Sequence, residues 1–468
     1  MAGFQTNLAW DALLELGGRQ GPLHARLSGA LREAIHDRRL PAGSALPPSR
    51  ALAEDLGCSR WVVTEAYAQL AAEGYLEARV GSGTRVRLLG QDDAGRPVPQ
   101  AAPARAPRID LAPGLPDLRA FPLARWVAAL RSVTASLHHA ELGYPDPAGH
   151  PRLRQVLAGY LARVRGAHPD PAQVTICRGV ADGTGRLGRA LRAAGVTAVA
   201  VENPGWHRLR QAAAATGLRV VPVPVDGQGL RVGDLERHPD VRAVIVGPTH
   251  QFPTGVVLSA ERRGTLLDWA RRVDGLILED DYDAEFRYDR RPVGTMQGTD
   301  PSRVALLGSL SKTLSPALGI GWAVTPPAWT GPFRATVGPP AVPSTLDQLT
   351  FAALLETGAY DRHLRAARKR FRVRRDRLVH ALAERLPDAR LLGVAAGLHL
   401  LVHLDGAVDC AGVVARAAAA GVRVANLDTY RVGDGAIGPG LVLGYGDLAD
   451  GQVEEAVTLL AAAVEALR

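Results

Sequence analysis

Lysine is nearly absent from this chain of 468 residues: of its 55 lysines and arginines, only Lys312 and Lys369 are lysine. Cysteine is scarce too, with Cys58, Cys177 and Cys410 far apart in sequence. There is no C-x-x-C and no Cys/His cluster at metal spacing, so a reducing compartment and no structural metal are expected. No run approaches about 18 uninterrupted apolar residues, so no membrane span is expected. The opening "MAGFQTNLAWDALLEL" lacks a basic start followed by a long apolar run, which argues against a signal peptide. Short-period repeats are absent as well.

What remains is the composition of a globular protein, 47% hydrophobic and 22% charged. Its length exceeds one ordinary core, so two or three domains are expected. A net charge of +8 admits an acidic partner such as DNA without requiring one.

The stretch 89–118, with "GQDDAGRPVPQAAPARAPRIDLAPGLPD" at its heart, is rich in Pro, Ala and Gly and has no apolar period. It reads as a linker. It divides a small unit, 22–88, from an α/β body, 119–468.

In the small unit, Leu23, Leu27, Ala30, Leu31, Ala34 and Ile35 fall on one helical face. "RRLPAGSALPPS" ends that helix. Ser49 is placed to cap a second helix, Arg50 to Leu56, and Ser59 a third, Arg60 to Glu73. The third helix would bury Val63, Ala66, Tyr67 and Leu70 and turn Arg60, Trp61 and Thr64 outward. "GYLEARVGSGTRVRL" reads as two strands around Gly81-Ser82-Gly83.

This order is the outline of a winged helix-turn-helix. Such a unit puts the N-terminus of its third helix into the major groove. Arg60 would meet a guanine edge or a phosphate. Arg50, Ser59, Ser82, Thr84 and Arg85 would hold the backbone, with Trp61 and Thr64 beside the bases. The other reading of the pattern is a helical protein-interaction domain with solvated arginines. The wording "LPPSRALAEDLGCSRWVVTEAYAQLAAEGYLEARVGSGTRV" strongly resembles the DNA-binding domain of GntR-type regulators. Trp61 departs from the small or hydroxyl residue common there, which bears on the bases read.

Beyond the linker, "VTICRG", "AVAVEN", "LRVVPVPVD", "VRAVIVGP", "GLILEDDY" and "VALLGSLS" are candidate strands separated by amphipathic helices. Runs apolar on both faces predict a mostly parallel sheet. Ligands bind such sheets at the C-terminal strand ends, where "ENPGW", "GPTHQFPTG", "EDDYDAEF" and "SLSK" fall. From about residue 340 a long basic helix leads into a small α+β unit. Leu364, Phe371, Leu378 and Leu382 interleave with its arginines at helical spacing, so a solvated face is expected for that charge run, Lys369 included. His399 and His403 read as half-buried strand residues.

Lys312 has a chemistry arginine lacks: it can lose its proton and attack a carbonyl, forming a Schiff base. A lysine after "SLS" could thus hold pyridoxal 5′-phosphate (PLP), which also needs an acid opposite its ring nitrogen. Asp280 follows "GLILE" and is placed for that. Tyr282 could meet the ring hydroxyl, Trp206 the ring face, and Ser309 and Ser311 the phosphate. Each element alone reads equally as structural.

Together, "YPDPAGHPRLRQVLAGYLARVRG", "VENPGW", "HQFPTG", "ILEDDYDAEF" and "GSLSKTLSPAL" closely resemble fold-type I aminotransferases. A GntR-type unit fused to such a body is the layout of MocR-type regulators. The resemblance implies a multi-domain protein: an α+β winged helix-turn-helix, then an α/β fold-type I PLP-dependent transferase-like domain with a small α+β subdomain. It implies Lys312 as the Schiff-base lysine, Asp280 as the ring-nitrogen partner and Tyr282 at the ring oxygen. It also implies a head-to-tail homodimer in which Tyr144 reaches the other subunit's phosphate, and a cytoplasmic, nucleoid-associated location. The expected function is a PLP-responsive regulator of vitamin B6 or related amino-acid metabolism. An active aminotransferase with a DNA-binding appendage, and a regulator with a PLP-free dimerisation scaffold, are the alternatives.

Three positions depart from the family pattern. Gly319 stands where an arginine usually binds the phosphate. Arg178-Gly179-Val180-Ala181-Asp182 replaces a Ser-Gly-x-Gln-Gln turn, with Arg178 the candidate to restore the charge. Val442 stands where amino-acid-using members carry a carboxylate-binding arginine, with Arg431 the candidate substitute.

Overall fold

The computed structural model describes residues 10, 14, 16, 20–79, 83–87, 107–288, 293–336, 342–404, 408–433 and 438–467. The chain divides into two compact units, Met1–Ala104 and Arg105–Arg468.

In the first unit, helix α1 (Leu23–His36) buries Leu27, Ala30, Leu31, Ala34 and Ile35, while Leu23 at its start stays exposed. Strand β1 (Ala45–Leu46) precedes helices α2 (Ser49–Asp55) and α3 (Arg60–Ala72). Pro48, not Ser49, holds the N-cap of α2, with no side-chain bond. Ser59 caps α3 as expected, its Oγ accepting the Val62 N–H at 3.4 Å. The hairpin of β2 (Leu76–Arg79) and β3 (Gly83–Val86) takes β1 on its free edge, giving the order β1-β3-β2. A strand of two residues carries no period-2 signal, so β1 is invisible in the sequence. Leu31, Leu52, Val63, Ala66, Leu70, Leu76 and Val86 meet in one core. Full burial of each large aliphatic stabilises by about 1.5–3 kcal/mol.

The second unit begins inside the stretch read as linker. Strand β4 (Ile109–Asp110) pairs in parallel with Val422–Arg423 near the other end of the chain, and Asp110 is ion-paired with Arg423. Apolar Ile109 and Leu111 are fully buried, so residues 107–118 belong to the body despite their Pro/Ala/Gly-rich setting.

Helices α4 (Leu123–Ser136) and α5 (Pro151–Arg165) precede the main sheet. Its strands are β5 (Val174–Cys177), β6 (Ala198–Asn203), β7 (Arg219–Asp226), β8 (Gly229–Leu230), β9 (Val241–Val246), β10 (Leu276–Asp280), β11 (Val304–Ser309) and β12 (Gly321–Val324). The order is β5-β12-β11-β10-β9-β6-β7-β8. Every pairing is parallel except those of β12 and β8. The six predicted strands are present: β6 as predicted, β7 without its first residue Leu218, and the other four shortened at their polar ends. β10 and β11 are buried at every position, which is why they show no alternation. The "GWAV" of β12 was not predicted. It is short, and it fits only because Gly308 leaves room for the Trp322 ring.

Helices α6 (Val180–Ala193), α7 (His207–Ala214) and α8 (Ala260–Arg272) connect the strands; α9 (Pro327–Ala335), α10 (Thr345–Glu356) and α11 (Ala359–Arg385) follow. The basic helix α11 buries Leu364, Phe371, Leu378 and Leu382 and leaves Lys369 in solvent, as its spacing predicts. Its buried Arg374 is ion-paired with Asp117 at 3.0 Å. The small subdomain holds β13 (Arg390–Leu392), β14 (His399–His403), α12 (Cys410–Ala419), β15 (Val422–Arg423), β16 (Ala425–Asn426), β17 (Gly440–Gly444) and α13 (Val453–Glu465), with sheet order β13-β14-β17-β16. His399 is fully buried, not half-buried, whereas His403 is half-buried. Among the described residues, no helix is long and apolar enough to cross a membrane.

Candidate functional site

The C-terminal ends of β6, β9, β10 and β11 converge on Lys312, which lies in the turn after β11. Its Nζ donates to the Gly114 carbonyl at 2.6 Å and sits 5.7 Å from the centre of the Trp206 ring. Burial lowers the pKa of this amine; the carboxylates of Asp283 and Asp280 oppose that shift, and Arg208 adds to it. A buried lysine with a depressed pKa is a poised nucleophile.

Asp280, the last residue of β10, is buried, and its Oδ1 has no hydrogen-bond partner among the described residues. Burial raises its pKa well above the usual carboxylate range. Repulsion from Asp283, Glu202 and Asp281 adds to that, and Lys312 opposes it. An unpartnered buried carboxyl is costly, and sites for bound cations or protonated ring nitrogens are where such groups are kept. Glu202, at the end of β6, is pushed up to about 8 by burial, although it accepts the Gly247 N–H at 3.1 Å.

Tyr282 turns its hydroxyl to His250 Nδ1, 3.2 Å away. Burial and the neighbouring Asp283 and Asp280 push its pKa well up, so it is a neutral hydroxyl donor. Ser309 and Ser311 bond each other, Oγ to Oγ at 2.9 Å, and the Ser311 N–H donates to Ser309 Oγ at 3.1 Å. Gly179 starts α6 with φ +126, and a Cβ there would come within 3.5 Å of Ser309 Oγ. The exposed Arg178 thus stands at the same corner as the two serines. Its backbone N–H is taken by Asp182 at 2.9 Å, and Asp182 also pairs with the buried Arg186. Gly319 has φ +55, and the space around its missing Cβ is open.

Tyr144 is fully exposed. Val442 is buried against Leu401, Leu427 and Tyr430, so the position of the family's carboxylate-binding arginine is apolar. Arg431 donates to the Gly438 carbonyl at 2.7 Å, and Arg431 Nε is buried without a partner among the described residues. The segment holding it is fastened to the β6 end: Gly205 N–H donates to the Tyr430 carbonyl, and Val432 N–H to Asn203 Oδ1, both at 2.9 Å. Sequence reasoning missed His250, Asp283 and Glu202. All three lie in stretches already placed at strand ends, and that placement was the available signal.

In the first unit, the start of α3 presents Arg60, Trp61 and Thr64. Arg60 Nε donates to Ser49 Oγ at 3.3 Å, and Thr64 Oγ1 to the Arg60 carbonyl at 2.9 Å. Trp61 is 62% exposed, its ring edge-on to His24 at 5.5 Å. Arg50 is exposed and pairs with Glu54, one turn along, at 3.3 Å. Arg85 donates to the Gly43 carbonyl at 3.0 Å and Thr84 is half-buried; Ser82 lies outside the described residues.

Comparison with known proteins follows the same division. Residues 23–86 match the family of bacterial regulatory proteins, gntR family, and residues 107–429 match aminotransferase class I and II. The probable rhizopine catabolism regulatory protein MocR of Rhizobium meliloti is 36% identical over 83% of this chain and 83% of its own length. The HTH-type pyridoxine biosynthesis transcriptional regulator PdxR of Corynebacterium glutamicum is 32% identical over 90% of this chain and 91% of its own. Among solved structures, the multiple substrate aminotransferase of Thermococcus profundus superposes with a TM-score of 0.71 at 25% identity. It covers 81% of this chain and 96% of that one.

Proposed function

We propose, from the premise that this chain belongs to the MocR-type regulators, a gntR-family unit joined to a class I and II aminotransferase body, that it regulates transcription with PLP as its effector. The observation that carries this reading is the buried pair of unequal groups at the strand ends. Lys312 is an amine with a lowered pKa, and Asp280 is an acid with an oxygen left unpartnered. Both fit PLP, which supplies an electrophilic aldehyde for the amine and a ring nitrogen for the acid. Tyr282 would hold the ring oxygen and Trp206 the ring face. Ser309, Ser311 and the 178–182 turn would hold the phosphate. Lys312 would bind covalently, giving up its bond to Gly114.

The apolar surroundings of Val442 favour PLP itself as the signal over an amino acid carried on it, because a substrate carboxylate buried there would find no charge at that position, and Arg431 nearby is already engaged with the Gly438 carbonyl and Asp428. The name of the Corynebacterium glutamicum relative supports vitamin B6 or related amino-acid metabolism as the regulated process. Double-stranded DNA is the second partner, met by Arg60, Trp61 and Thr64 at the start of α3, by Ser59 and Arg50, and by the wing residues Ser82, Thr84 and Arg85. A head-to-tail homodimer would bring the exposed Tyr144 to the site of a second copy. Such a regulator works in the cytoplasm, at the nucleoid.

The test is the absorption spectrum of the purified protein titrated with PLP, repeated with Lys312→Ala. A saturable yellow band that the variant lacks is expected. Identical spectra would remove Lys312 from the reading. Operator affinity with and without PLP, by fluorescence anisotropy, should differ; a ligand that binds both states of a switch equally moves nothing.

A further inference from the structure

Beside Lys312 lies a buried group for which the reading above has no use: His250, Asp283 and His399. His250 Nδ1 is 2.8 Å from Asp283 Oδ2, and both side chains are 2% exposed. The His250 ring stacks on Tyr282, with centroids 6.3 Å apart and planes at 29°. His399 packs against His250 at 4.9 Å, and its Nε2 has no partner among the described residues. Gly397 closes over the pair with φ +71. A Cβ there would come within 2.5 Å of both Asp283 Oδ2 and His250 Nδ1.

We propose that Asp283 and His250 are a positioning pair for the Lys312 site: Asp283 holds the Tyr282 hydroxyl and supplies the negative charge facing Lys312, and His250 holds Asp283. This inference rests on the PLP reading. An ionised carboxylate only accepts hydrogen bonds, so His250 Nδ1 donates to Asp283. The Tyr282 hydroxyl, facing that same nitrogen, then has Asp283 as its acceptor. Tyr282 is thereby kept oriented before any ring oxygen arrives.

The charged and titratable groups around the site come from four directions. Asp280 and Asp283 lie at the end of β10 and just beyond it, Glu202 at the end of β6, Arg208 on α7 and His399 on β14. Burial holds His399 well below its usual range and the neighbouring His250 lowers it further, so it is neutral. Glu202 and Asp280 are raised acids. Among the acids, Asp283 acts most strongly on Lys312, ahead of Asp280. Removing its charge therefore makes the lysine nitrogen lose its proton at lower pH.

The test uses the full chain with PLP as probe and reads the pH titration of the bound PLP absorption band. Asp283→Asn should lower the midpoint by about one pH unit or more, the usual effect of losing a close opposite charge. His250→Phe should lower it in the same direction. His250→Gln keeps an N–H donor for Asp283 and should restore the parental midpoint, which a merely structural role would not do. A parental midpoint in both Asp283→Asn and His250→Phe, with PLP bound, overturns the pair. So does one equivalent of zinc in the purified parent, because the ligand atoms of His250, Asp283 and His399 lie within 4.8 Å of one another and would then be a metal site. A parent that never binds PLP removes the underlying reading instead, so the two failures are distinguishable.

Discussion

Asp280→Asn should stabilise the PLP-free protein and weaken its hold on PLP. The variant keeps the shape of a protonated aspartate but never ionises. In the parent, Asp280 is buried, its Oδ1 is unpartnered, and burial followed by repulsion from Asp283, Glu202 and Asp281 raises its pKa. A group whose folded pKa is raised favours folding most below its unfolded pKa, about 4 for a carboxyl. That contribution declines as pH climbs toward the folded value, by about 1.4 kcal/mol per pH unit within the window. The variant's advantage should therefore be near zero at pH 4 and grow toward neutrality. Asn leaves the same oxygen unpartnered, so the gain is the avoided ionisation alone, expected at about 1–3 kcal/mol at pH 7.5. In a unit this large it corresponds to a rise in Tm of roughly 1–5 °C.

The assay is scanning calorimetry of PLP-free protein at several pH values, then with PLP. At a hundredfold excess over Kd, binding stabilises the parent by about 2.7 kcal/mol, and the order of the two melting points should reverse. A variant that melts below the parent by the same margin at pH 5 and pH 7.5 would refute the reasoning, because the carboxyl would then have an unseen partner.

Three further outcomes are expected. Gly319→Arg adds a cation where the space is open, worth about 1.5–3 kcal/mol to a phosphate, while the side chain at positive φ costs folding about 1–2 kcal/mol in free and bound protein alike. PLP affinity should rise by about ten- to a hundredfold, read by spectral titration, and unchanged affinity would move the phosphate away from this turn. Arg60→Ala should weaken operator binding by about 1–3 kcal/mol in an anisotropy titration while shifting unfolding by less than about 0.5 kcal/mol, and equal DNA affinity would displace α3 from the groove. Leu70→Ala should destabilise the first unit by about 2–5 kcal/mol and abolish DNA binding while sparing the PLP band, since the two cores are separate.

The strands with buried faces were legible because each carries a run of apolar residues too long for a turn and too short for a helix. β12 and β1 were not. One depends on Gly308 making room for Trp322, the other on an edge pairing two residues long. The start of the second unit was misplaced for a related reason. Pro- and Gly-rich composition records the absence of periodicity, and β4 is held by a partner more than 300 residues away, which no local pattern contains. At the site, Lys312 stood out by rarity and Asp280 by position after an apolar run. His250 and Asp283 did not, because a histidine–carboxylate contact between two loops is a fact of three-dimensional packing. Ser49 as a cap failed because Pro48, with its φ already fixed, enters the helix one residue earlier.

Under the proposed reading, the Lys312 nitrogen that donates to the Gly114 carbonyl is also the one that would bind PLP. Leu111 N–H donates to the Arg423 carbonyl and Gly444 N–H to the Leu111 carbonyl, so this stretch is sewn into the small subdomain along one side. On the other side the lysine amine grips it at Gly114. A lysine nitrogen that becomes an imine keeps at most one hydrogen, so occupancy and grip draw on the same supply of donors. The backbone just after β4, the strand of the second unit nearest the DNA-binding unit in sequence, is thus what the Lys312 amine holds.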